Sequence, residues 1–222
     1  MCRNLLITVL ATAAIIPSAA QQRREKEPLC EQNGAERVQI SDADATILDF
    51  TLGNTSLKDV QQRMGSAKVE RVTKAEESDI AICYVSPKDG TVLIFYSGAM
   101  GGWEDLTWFA LWSRKAAYPR VASCTPSESV FHNLTTRSGL RLGLSQREAN
   151  QISGTPTKIS RSTMKYDYIC RQRMTEEQIK KFKAVNNWDA SDDPYFDRVS
   201  WADIHVGREG AFRIEVGRYE SY

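Results

Sequence analysis

The side chains able to do chemistry in this chain are few. His132 and His205 are its two histidines, so an imidazole acid–base pair, a nucleophile activated by histidine or a histidine metal site must use one of them. His205 lies between Asp203 and Gly207 on an expected strand, where a nearby carboxylate could pair with it. The plainer reading is a surface histidine, and His132, beside Phe131, has less to recommend it. No Gly-x-Ser-x-Gly, His-Glu-x-x-His or phosphate-loop pattern occurs. Asp189, Asp192, Asp193 and Asp197 could converge oxygens on calcium, but they lack EF-hand spacing and a glycine at the sharp turn. Lys180, Lys181 and Lys183 stand close in sequence, which favours a solvated acidic loop. The expectation is no catalytic centre, no metal and no cofactor; a small hydrolase or calcium-dependent enzyme built on His205 and this loop is the remote alternative.

The cysteines point to a compartment rather than to a reaction. Met1–Asn4 carries one positive charge, Leu5–Ile16 is an apolar or small-residue run, and Ser18-Ala19-Ala20 offers a cleavage site. Residues 1–20 therefore read as a secretory signal, too short to span a bilayer, and no later segment reads as a transmembrane span. Of five cysteines, Cys30, Cys83, Cys124 and Cys170 follow it. An even number in an exported chain favours two disulfides over a free thiol. Spacing leaves the connectivity open; the preferred pairing is Cys83 with Cys124 and Cys30 with Cys170. A secreted or periplasmic location follows. Without Arg3, basic and acidic residues balance at 28 each, which gives no electrostatic footprint for nucleic acid.

The elements that would position these groups are announced by a repeat. Leu52-Gly53-Asn54-Thr55-Ser56 with Asp59 and Gly65 returns as Leu142-Gly143-Leu144-Ser145 with Glu148 and Gly154. In each copy a Ser N-cap with an acid three residues on opens an amphipathic helix that a glycine stops. Alternating strands follow each helix. The expected division is an arm at 21–36, module one at 37–125, and module two at 126–222 with a helical insertion at 172–197.

On the last hairpin, strand alternation separates an apolar set (Ala202, Ile204, Val206, Phe212, Ile214, Val216) from Trp201, Asp203, His205, Arg213 and Glu215. Trp108 and Trp112 share a face in module one, and Trp103 sits in the glycine-rich loop before them. Trp, Tyr and Arg commonly anchor interfaces, so these eight residues are the candidate binding set. The same tryptophans would also suit the core or an intermodule seam.

The Leu-Gly, Ser-capped helix, Gly and following meander resemble the small helix-plus-sheet repeats of the BamE/SmpA/OmlA envelope proteins. Their tandem arrangement is similar to that of β-lactamase inhibitory protein. That resemblance implies an exported, non-catalytic module that binds a protein partner. The expected fold is α+β, with two tandem helix-plus-antiparallel-sheet modules whose sheets could join into one curved sheet with the helices on one face. The expected function is a protein-binding or inhibitory module; the alternative is a cell-envelope scaffold or assembly factor. No partner is identified.

Overall fold

The computed structural model describes residues 29–30, 40–74, 77–186 and 194–221. The expected signal, all of the arm but Leu29 and Cys30, and the acidic loop through Asp193 lie outside the described residues.

After a short hairpin, β1 (Thr46–Ile47) and β2 (Phe50–Thr51), comes helix α1 (Leu57–Met64). Strands β3 (Glu70–Lys74), β4 (Glu77–Val85), β5 (Val92–Ser97) and β6 (Trp108–Trp112) follow. A connector with a two-residue β7 (Thr125–Pro126) leads to helix α2 (Gln146–Ser153). Then come β8 (Lys158–Ser160), β9 (Thr163–Arg173), helix α3 (Glu176–Asn186), β10 (Tyr195–Gly207) and β11 (Gly210–Ser221). Nine strands make one sheet in the order β3-β4-β5-β6-β11-β10-β9-β8, with β7 added in parallel beside β4.

This overturns the expected α+β pair of modules: the molecule is mostly β, built on one antiparallel sheet. The physical reason is the pairing of β6 with β11, from Trp108 opposite Gly217 to Trp112 opposite Arg213. Each strand would otherwise be an edge with unpaired amides, and joining them removes both edges. The core then runs through the joint, because Phe95 and Phe109 share one buried cluster with Tyr166, Ile204 and Ile214. The first two helices are too short to stand alone. Each spans eight residues, below the length at which an isolated helix is stable.

Both copies of the repeat nevertheless keep the local geometry expected of them. Ser56 with Asp59, and Ser145 with Glu148, form reciprocal capping boxes. Gly65 and Gly154 stop the helices at φ 98° and 82°. Thr175 and Gln178 exchange the same pair of bonds at the start of α3. Replacing Ser145 by Ala is expected to cost about 1 kcal/mol, since a helix amide loses its acceptor. Thermal unfolding checks this, and Ser56→Ala should cost a similar amount; an unchanged midpoint in both would mean the caps are dispensable.

Two local features of the hairpins stand out. Leu48 and Asp49 turn the first hairpin at φ 51° and 63° with no glycine. Arg63 and Arg137 pair with Asp49, and the Arg63 contact above all holds its carboxyl below the ordinary range. In the last hairpin a bulge between His205 and Val206 sets Val206 opposite Ala211 and His205 opposite Arg213. Phe212 is thereby skipped in the register. Ala211 joins the core in its place, and the Phe212 ring stands 6.0 Å from that of His205.

Candidate functional site

The face of the sheet opposite the main core carries seven of the eight expected binding residues. The strand registers arrange them in three rows. One row runs Asp167, Trp201, Gly217, Trp108, Tyr96, Ala81. The next runs Lys165, Asp203, Glu215, Ala110, Ile94, Cys83. The third runs Thr163, His205, Arg213, Trp112, Val92, Val85. Side chains two apart on a strand share a face, so rows read across the pairing are what a partner would meet.

Along the rows the chemistry grades from charged through aromatic to apolar. At the β4 end the face is closed. Disulfide Cys83–Cys124 and the Tyr84–Thr125 bridge bring the 114–127 connector over it, where Cys124 and Tyr118 pack with Val72, Val85 and Trp112. The second disulfide joins Cys30 to Cys170, so both preferred pairings are present.

The aromatic middle is layered. Tyr96 and Trp108 stack at 3.3 Å between centroids, and Trp201 lies 5.9 Å from Trp108. A side chain at Gly217 would overlap the Trp201 indole, so the missing Cβ is what lets that ring lie flat across the strand. Trp108 donates its indole N–H to Asp79 at 3.2 Å. Burial, then the neighbouring Tyr118 and Glu215, raise the pKa of the Tyr96 hydroxyl. Trp112 meets both the Tyr118 ring, 5.2 Å between centroids, and the Arg213 guanidinium, 4.2 Å from the Trp112 centroid. Trp108 is only 9 % exposed, so it supports the surface rather than forming its outer layer.

The charged end is a network. Lys165 donates to Asp203 Oδ2 at 3.0 Å, a contact that raises the lysine pKa. Arg213 pairs with Glu215, which is 6 % exposed. His205 Nδ1 lies 3.0 Å from Thr163 Oγ1, and burial together with the Arg213 charge lowers its pKa. Asp203, His205 and Glu215 bring potential ligand atoms within 4.8 Å of one another. The rings and charges here suit recognition of a surface with its own apolar centre and charged rim.

Trp103 is not part of this face. It stands in the loop between β5 and β6 at φ 65°, 43 % exposed, with its amide bonded to Gly98 O. His132, the other histidine, is in the connector, where its amide donates to Asp89. Lys165, Thr163, Tyr96 and Tyr118 belong to the site but were absent from the expected set. Alternation over Thr163–Ile169 could have put Lys165 and Asp167 on one face; their register against β10 has no local signal.

No family model and no curated protein matches this chain. The BamE/SmpA/OmlA resemblance is therefore without support beyond the repeated motif. Among solved structures, the chain is similar to one described as a "putative beta-lactamase inhibitor protein" from Streptococcus mutans. The match has 10 % identity and a TM-score of 0.24, over 80 % of this chain and 90 % of that one. Likeness at that level decides nothing about fold or function.

Proposed function

We propose that this is an exported, non-catalytic protein-binding module of the inhibitory kind, and that the uncovered half of the sheet face is its binding surface. The observation that carries the reading is the row arrangement: Arg213 and Trp112 stand side by side in one row, Trp201 stands two rows away beside Asp167, and Lys165 and Asp203 lie in the row between. Aromatic and arginine anchors beside a charged border are the composition of interface hot spots. Strands also hold such groups with little conformational freedom left to lose on binding. Export is supported by the two disulfides, which persist in oxidising compartments.

The double variant Trp201→Ala/Arg213→Ala is expected to keep its circular dichroism spectrum and lose its partner by at least about 100-fold, as removal of two hot-spot side chains would do. Affinity capture from the native secreted or periplasmic fraction supplies the partner, and titration of the purified pair measures the loss. Trp103→Ala, off the face, should bind normally. A folded double variant that binds as tightly as the parent sinks the proposal, as does a Trp103→Ala variant that loses the partner while the double variant keeps it.

A further inference from the structure

We infer that Asp203, His205 and Glu215 form a site for a divalent transition-metal ion, zinc being the reference probe. This goes beyond the protein-binding reading and stands without it. The three groups come from β10 and β11, and their ligand atoms fall within 4.8 Å of one another, a separation one ion can close. Thr163 occupies His205 Nδ1. The other ring nitrogen, Nε2, is buried with no hydrogen-bond partner, and so is Asp203 Oδ1. Orphaned polar atoms of this sort are costly and are rare in native structures. One cation would satisfy both at once, with Glu215 as the third ligand.

The surroundings are those of a ligand set. The Thr163 hydroxyl stands 3.0 Å from Nδ1 and can accept from an Nδ1–H, which would leave the Nε2 lone pair for an ion, the outer-shell arrangement commonly seen behind metal-binding histidines. The bulge between His205 and Val206 interrupts the ladder at this point, as bulges beside functional sites do to re-aim a side chain. One imidazole with two carboxylates is a nitrogen and oxygen set suited to zinc and its neighbours, and three protein ligands leave a position open to solvent or to a partner.

Lys165 and Arg213 oppose the ion. Each holds one carboxylate, Lys165 through Asp203 Oδ2 and Arg213 through Glu215 Oε1, leaving Asp203 Oδ1 unpaired. They orient the carboxylates, yet their charge repels a divalent cation. Removing one of them should therefore strengthen binding, which a purely structural network would not do.

The test uses the protein purified without a histidine tag and stripped with a chelator. Zinc titration by calorimetry should show one ion per chain, and Co2+ should give visible ligand-field absorption. His205→Ala and Asp203→Asn should weaken zinc at least about 10-fold, the usual scale for losing part of a metal site, and Lys165→Met should tighten it about 10-fold by removing a positive charge that faces the ion. His132→Ala should leave affinity unchanged. His205→Gln replaces His205→Ala if the latter loses its circular dichroism spectrum. No zinc heat and no cobalt absorption in the parent overturn the proposal. So does a folded His205 variant that binds like the parent, or a Lys165→Met variant that binds no tighter.

Discussion

Replacing Cys83 and Cys124 together by Ala is expected to lower the free energy of unfolding by about 4 kcal/mol, and replacing Cys30 and Cys170 by about 5 kcal/mol. The bonded residues are 41 and 140 apart in sequence. A cross-link removes loop entropy from the unfolded chain in proportion to the logarithm of the loop it closes, so the longer loop gives the larger figure. The native consequences differ in the other direction. Cys30 touches the sheet edge through its amide bond to Arg171 O and the Leu29 bridge beside it. Cys124 instead anchors the connector that covers the β4 end of the aromatic face, with Tyr118 against Trp112. Loss of Cys83–Cys124 should therefore change tryptophan fluorescence under native conditions, whereas loss of Cys30–Cys170 should leave it as it was. Urea unfolding supplies the energies. Midpoints at the parent value, or the same fluorescence change in both variants, would contradict this account.

What the sequence could reveal about this fold follows from the range of each signal. Helix starts at Ser56 and Ser145 were legible because a cap and its acid lie three residues apart. The shared face of Trp201, Asp203, Arg213 and Glu215 was legible because strands have period two. The same period misplaced Phe212, since a bulge changes register without a distinctive residue to announce it. The union of β6 with β11 was not fixed by any local pattern: it joins residues about a hundred apart, and only the need to cover two edges selects it. Two α+β modules whose sheets could join were therefore expected, where a mostly β molecule with one large sheet formed. Trp103 stands, as expected, in the glycine-rich loop. It is close in sequence to Trp108, but the turn that begins at Gly98 carries it off the sheet. The charged network was half visible, because Asp203, His205 and Glu215 lie on one hairpin while Lys165 and Thr163 come from β9.

Gly210→Ala is expected to destabilise the protein by about 3–5 kcal/mol, combining left-handed backbone strain with overpacking against a rigid neighbour. Gly210 has φ 98°, and a Cβ there would run into the carbonyl of Gly143. The crowding exists because the repeated Leu-Gly segment is laced to the last hairpin: Gly143 donates to Ala211 O at 2.8 Å and Ala211 donates to Leu144 O at 2.7 Å. The first copy is laced in the same manner, Gly53 donating to Leu106 O and Leu106 to Thr55 O, each at 2.8 Å. Gly53 and Gly143 share the backbone angle this needs, φ 79° and 80°. Gly53 thus supplies the internal control. A Cβ at Gly53 meets nothing within 4 Å, so Gly53→Ala should cost only the conformational strain, about 1–2 kcal/mol. Equilibrium urea unfolding of the two variants separates the terms. If Gly210→Ala is no more destabilising than Gly53→Ala, the hairpin can move away from Gly143 without penalty. The repeat would then be a helix-start signature alone, not also the clamp that holds the β10–β11 turn, and with it the register of His205 and Arg213, against the rest of the fold.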